Sequence, residues 1–158
     1  MLPLWDILLR LGVATLAGGL IGLNRDLKGK PIGMRTLSLV GLASALLVAV
    51  SDQSAAHDQI TDASARVIQG ILTGIGFLGA GVIVHTGSRY EVHGLTTAAC
   101  VWLAACIGVA CGAGHWLIVG VAFVIAFVVL IGGHRVEHRL HRLLGGKSEE
   151  KSTAGPED

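Results

Sequence analysis

The sequence predicts an all-α membrane protein: a bundle of about five transmembrane helices followed by a short amphipathic cytoplasmic tail helix. Three observations carry this. The chain is 52% hydrophobic and 15% charged, with a mean hydropathy of +0.67. Its charges fall mostly between long apolar runs, and many of its 23 glycines recur inside those runs. In water each glycine would cost a helix about 1 kcal/mol relative to alanine. In lipid, small residues let helices approach closely enough for van der Waals contact to replace the missing hydrophobic drive. The net charge of +1 makes no general electrostatic case for nucleic acid.

The first span is expected over 4–23. Met1-Leu2-Pro3-Leu4-Trp5-Asp6 carries no positive n-region, so this span is expected to stay in the mature protein. Asp6 and Arg10 interrupt it at i,i+4 spacing, which places them on one helix face where they can pair. Two readings remain open for them: a pair snorkelling at the interface, or a polar site turned toward the bundle interior. Gly18, Gly19 and Gly22 make the second half of the span a close-packing face.

A basic loop follows, with Arg25, Lys28, Lys30 and Arg35 against Asp26 alone. The second span, 36–51, is short, with Arg35 at one end and Asp52 at the other. The next connection holds Asp52, Asp58 and Asp62 and is closed by Arg66.

The third span, 67–84, is the stretch around which the chain is expected to be organised. Its uncharged run of about 18 residues is just long enough to cross the hydrocarbon layer. Gly70, Gly74, Gly76, Gly79 and Gly81 recur along it, so it is expected to be the packed centre of the bundle. Gly74-Ile75-Gly76-Phe77-Leu78-Gly79 also spells G-x-G-x-x-G, but a dinucleotide turn needs a strand before it and an amphipathic helix after it, and the flanking sequence predicts neither.

The fourth span is expected over 94–112, with Gly108 and Gly112 repeating the small-residue spacing, and the fifth over 116–133. The Val, Ile and Phe of the fifth suggest a lipid-facing helix at the edge. Residues 1–133 would form the transmembrane domain, and 134–158 a basic juxtamembrane helix and a disordered tail. The positive-inside rule places the N-terminus and the acidic connection outside, with the basic loop and the tail in the cytoplasm.

Little here suggests catalysis or a resident cofactor. Cys100, Cys106 and Cys111 lie in one apolar run, as buried unpaired thiols would. His134-Arg135-Val136-Glu137-His138 has the H-x-x-E-H spacing, but a catalytic zinc needs a third ligand in an enclosed cleft, which a small bundle does not supply. The aspartates of the outer connection suit a hydrated divalent cation chemically, and equally suit a solvated loop.

Four motifs follow in order: Gly18-Gly19-Leu20-Ile21-Gly22-Leu23-Asn24-Arg25-Asp26, Gly33-Met34-Arg35-Thr36 leading into Leu39-Val40-Gly41, the Gly74 to Gly81 run, and Gly94-Leu95-Thr96-Thr97-Ala98-Ala99. Together they resemble the motifs of the MgtC/SapB family of bacterial inner-membrane proteins. Members usually carry Glu where Asn24 stands, and longer members have a soluble C-terminal domain where this sequence has only a short tail. The resemblance implies a non-enzymatic protein of the inner membrane, associated with growth under magnesium limitation and, in pathogens, with intracellular survival. Longer members are linked to restraint of the F-type ATP synthase.

The expected partners are therefore the lipid bilayer and either further copies of the chain or another membrane complex such as ATP synthase. The competing expectation is an oligomeric transporter of magnesium or another cation. The residues singled out as polar candidates are Asp6, Arg10, Arg25, Arg35 and Thr96. Those singled out for helix packing are Gly18, Gly22, Gly70, Gly74, Gly76, Gly79 and Gly81.

Overall fold

The computed structural model describes residues 2–52, 62–86 and 91–143. Among them the chain forms α1 (Leu4–Asp26), α2 (Met34–Asp52), α3 (Asp62–Val82), a strand pair β1 (Val84–Thr86) and β2 (Glu91–His93), α4 (Leu95–Gly112) and α5 (Trp116–Leu143). The protein is an all-α membrane bundle. Helices α1 to α4 are each long and apolar enough to cross a hydrocarbon layer, and α5 opens with a shorter apolar stretch, Trp116–Gly132.

Local chemistry sets the helix ends. The Pro3 carbonyl accepts the amides of Asp6 and Ile7 at 3.0 and 3.2 Å, so α1 starts directly after a residue that cannot itself donate. Gly94 precedes α4 with φ of 94°, in the left-handed region, and a side chain there would run into the Val82 carbonyl. The α4–α5 turn closes through the Gly114 amide on the Cys111 carbonyl at 2.9 Å.

The packed centre is α1, α2 and α4. Gly18 of α1 faces the Leu37 carbonyl, and a methyl on Gly22 would lie 2.5 Å from Met34 Cα. One layer on, a methyl on Gly41 of α2 would lie 2.6 Å from the Ala14 carbonyl oxygen. Gly108 of α4 meets the Gly41 carbonyl, and a methyl on Gly112 would lie 2.5 Å from that of Ala45. Backbone thus packs directly on backbone, as association without a hydrophobic drive requires. Ile21, Leu37, Ala45, Val101, Ala105 and Cys111 fill the remaining space.

Helix α3 does not occupy the centre expected for it. Ile71, Ile75 and Gly79, spaced i,i+4,i+8, form its buried stripe, and a methyl on Gly79 would lie 3.7 Å from the Ala98 methyl, an ordinary contact. The stripe packs mainly on α4. Among the described residues no atom beyond the helix's own backbone lies within 4 Å of where a side chain on Gly70, Gly74, Gly76 or Gly81 would begin, and Gly81 lines a cavity of about 270 Å³ with Thr36, Val40 and Val101. The physical reason is that α1, α2 and α4 bury their own glycines against one another and leave α3 a single flank.

Helix α5 lies at the edge, with Leu117, Val121, Val124 and Val128 exposed. It runs through residue 133 to Leu143 without a break. Its 28 residues span about 42 Å at 1.5 Å per residue, more than the roughly 30 Å of the hydrocarbon core. Gly132 and Gly133 do not end it, consistent with the cost of unsatisfied backbone groups near lipid. The sequence from 85 to 93, expected as a loop, includes an antiparallel pair with Val84 opposite His93. The expected tail disorder lies at 144–158, outside the described residues.

Candidate functional sites at the two ends of α1

Helix α1 carries an arginine near each end, Arg10 mostly covered and Arg25 buried. Arg10 and Arg25 are 15 positions apart, about 22 Å along the helix axis.

Near the N-terminal end, Arg10 Nε lies 2.9 Å from Asp6 Oδ2, one helical turn away. This is a charge contact in which the Nε–H is not aimed as a hydrogen bond. Arg10 Nη1 donates to Asp52 Oδ2 at 3.2 Å and to the Gly112 carbonyl at 2.6 Å. The guanidinium therefore joins the start of α1 to the ends of α2 and α4. The Asp6 and Arg10 side chains are 13% and 12% exposed, which favours the inward reading of this pair over a snorkelling one, while Asp52 is 35% exposed.

The α4 C-terminus is the negative end of its dipole, so a cation bonded to Gly112 is electrostatically well placed. Gly114, with φ of 76°, leaves room for the guanidinium: a methyl there would lie 3.0 Å from Arg10 Nη2. Chemically this is a clamp whose centre is already filled by a cation. A divalent ion would have to displace the guanidinium to reach both carboxylates. Among the described residues no three His, Cys, Asp or Glu side chains converge as a metal site, and Asp58 lies outside them.

Near the C-terminal end, Arg25 is 5% exposed and donates from Nη2 to Thr97 Oγ1, itself 1% exposed in the first turn of α4. The buried Nε of Arg25 has no hydrogen-bond partner. Both residues line a cavity of about 330 Å³ together with Gly29, Lys30, Pro31, Val82, His93, Gly94 and Thr96. Its walls come from the α1–α2 loop, the end of α3 and the start of α4. The loop is braced by Asp26, whose Oδ2 accepts the Met34 amide at 2.8 Å.

The structure thus brings Asp6 together with Arg10, and Arg25 together with Thr96, in two separate places. Arg35 is exposed on the first turn of α2 and joins neither. Two participants were not read from the sequence as members of these sites. Asp52, taken as the end marker of a span, is the second partner of Arg10. Thr97, not Thr96, holds Arg25; Thr96 is exposed at the cavity rim. Spacing carried a signal for Thr97, since the buried positions Cys100, Val101, Ala104, Gly108 and Cys111 continue from it at helical intervals. The G-x-G-x-x-G glycines lie wholly inside α3, with no strand ahead of them among the described residues, in line with the rejection of a dinucleotide turn. Cys100, Cys106 and Cys111 are free thiols, and the side chains of 134–138 lie outside the described residues.

The arrangement rests on the same glycine-rich motifs that define a known family, and the family model for the MgtC family matches residues 11–139. The chain belongs to the MgtC family. It is 39% identical to Protein SrpB of Synechococcus elongatus over 136 residues, 81% of this chain and 75% of SrpB. It is 39% identical to Protein SapB of Bacillus subtilis over 147 residues, 85% of this chain and 63% of SapB. YhiD of Escherichia coli, whose name carries a provisional magnesium-transporter label, is 35% identical over 139 residues, 85% of this chain and 64% of YhiD. The chain thus spans under two thirds of the length of SapB and YhiD. No solved structure matches it. Within the MgtC family match fall Arg25, Thr97 and all the glycines of the α1–α2–α4 contacts, whereas Asp6 and Arg10 lie just before it.

Proposed function

We propose that this protein is a non-enzymatic regulator in the bacterial inner membrane that serves adaptation to magnesium limitation by contacting another membrane complex through α3. The observation that carries this reading is the outward glycine face of that helix. Gly70 and Gly74, one turn apart, have open space where a side chain would stand, and Phe77, one turn further on the same side, is 81% exposed and offers a ring to a partner helix. In lipid such a stripe suits close approach of a second helix. Gln69, exposed on the same helix, offers an interhelical hydrogen bond that acyl chains cannot supply. The MgtC family supplies the link to magnesium, and the F-type ATP synthase is the partner implied by longer members. In this reading the N-terminus is outside and α5 ends in the cytoplasm, because Arg25 at the end of α1, Lys28 and Lys30 in the loop and Arg35 at the start of α2 cluster at one end of the bundle.

The second reading is an oligomeric cation transporter, favoured by the label that YhiD carries. The Asp6–Arg10–Asp52 cluster argues against it as a cation path, since a resident guanidinium repels the ion at Asp6, the least exposed acidic side chain among the described residues.

The test is chemical crosslinking in membranes followed by co-purification with the ATP synthase, comparing wild type with Gly74→Leu. Regulation by contact predicts capture that the substitution abolishes while the protein still accumulates. Unchanged capture, together with magnesium flux into proteoliposomes that Asp6→Asn removes, would replace this reading with the transporter.

A further inference from the structure

Arg10 and Arg25 are both withdrawn from solvent, yet among the described side chains only Arg10 has carboxylate partners. Two carboxylates and the carbonyl end of α4 surround Arg10. Among the described residues Arg25 has no carboxylate within ion-pair distance, although it is 5% exposed. Its one side-chain bond goes to a neutral hydroxyl, Thr97 Oγ1, and its buried Nε–H has no acceptor. An unpaired buried charge is among the costliest arrangements a fold can hold.

Helix dipoles do not relieve it. Arg25 lies in the last turn of α1, whose carbonyl end contributes about −0.5 charge, but it also stands at the N-terminus of α4, which contributes about +0.5. The two contributions roughly cancel, and the guanidinium charge remains. The α4 N-terminus adds its own donors, because the residue before it is Gly94 and no side chain caps the first-turn amides. Those amides, the uncompensated guanidinium and Lys30 meet at the cavity of about 330 Å³. His93 and Thr96 stand at the same wall.

We infer that this cavity binds a phosphate-bearing anion, held by Arg25, Lys30 and the amides of the first turn of α4. A tetrahedral oxyanion accepts from several directions at once, which suits a cavity lined by an arginine from α1, a lysine from the α1–α2 loop and the first turn of α4. Negative charge in the cavity would lie against a guanidinium that has no carboxylate partner among the described side chains. The phosphate belongs either to free inorganic phosphate or to the headgroup of an anionic lipid, since the cavity lies at the end of the bundle where α1 stops. The assignment does not depend on how the protein acts on its partners.

The experiment uses the full chain. In non-ionic detergent, thermal unfolding is followed while inorganic phosphate is titrated against potassium chloride at equal ionic strength. In parallel, the chain is reconstituted in nanodiscs of mixed phosphatidylglycerol and phosphatidylcholine, or of phosphatidylcholine alone. Stabilisation by phosphate over chloride assigns the free anion, and stabilisation only in the phosphatidylglycerol discs assigns the headgroup. In either arm Arg25→Gln is expected to weaken the response about tenfold or more, and Lys30→Gln about threefold, whereas Arg66→Gln, which removes a cation on a different helix, leaves it unchanged. If Arg25→Gln does not fold, Lys30→Gln, an exposed substitution, decides. No response to phosphate or to phosphatidylglycerol overturns the inference, and so does a response that Lys30→Gln and Arg66→Gln reduce equally.

Discussion

Arg10 Nη1 donates to Asp52 Oδ2 at 3.2 Å across 42 residues of sequence, tying the first turns of α1 to the last turn of α2. The same guanidinium reaches Asp6 and the Gly112 carbonyl, so one side chain serves three helices. Removing the hub differs from removing a spoke. Arg10→Met leaves two carboxylates facing each other and a helix C-terminus uncapped, and is expected to cost about 3–4 kcal/mol. Asp52→Asn leaves Asp6 and Gly112 in place and is expected to cost about 1 kcal/mol, given that Asp52 is the more exposed partner. Unfolding in mixed micelles should rank the variants in that order; equal losses would mean that Arg10 does not act as the shared centre.

The two sets of glycines should separate by the same measurement. Gly108→Ala places a methyl against the Gly41 carbonyl at a backbone-to-backbone crossing and is expected to destabilise by about 1–3 kcal/mol. Gly74→Ala places its methyl in open space and, since alanine is the better helix former, is expected to change stability by no more than about 1 kcal/mol, in the stabilising direction. A large loss at Gly74 in the isolated protein would mean that the outer face of α3 is packed after all.

The hydroxyls of α4 give a sharper contrast between adjacent residues. Thr97→Val keeps the shape but removes the acceptor of the Arg25 Nη2 proton, with an expected loss of about 2 kcal/mol. Thr96→Val alters an exposed rim position and is expected to fall within about 0.5 kcal/mol of wild type. Thermal unfolding of the two variants side by side checks this, and a larger loss at Thr96 would contradict the assignment of the Arg25 contact.

Why Thr97 was harder to find than the helix itself has a physical answer. The spans were legible because charges and turn residues bound each apolar run: Pro3 before α1, Asp52 at the end of α2, Gly114 after α4. Which side of a span faces protein was not, because lipid is as apolar as a core and removes the contrast that marks an inward face in water. Hence α3, the most glycine-rich run, was expected at the centre and lies at the edge. The Asp6–Arg10 contact was legible from i,i+4 spacing alone. Asp52 and Thr97 needed the antiparallel return of α2 and α4 along α1, which no local pattern encodes.

Orientation provides the last prediction. By the positive-inside rule the stretch from Arg25 to Arg35, with Lys28 and Lys30 between them, faces the cytoplasm, while the stretch from Asp52 to Asp62, which includes Asp58, faces outside. Substituted cysteines can read this directly, because two of the three native thiols, Cys100 and Cys111, are buried and Cys106 is partly so. With Cys106 replaced by alanine, a membrane-impermeant maleimide should label Asp62→Cys in intact cells. Lys30→Cys should be labelled only after the membrane is permeabilised. Both positions are exposed, so neither result depends on unfolding. The reverse pattern would place the basic loop outside. It would then also put the Arg25 cavity on the side away from cytoplasmic phosphate, leaving the outer-leaflet headgroup as the source for the anion.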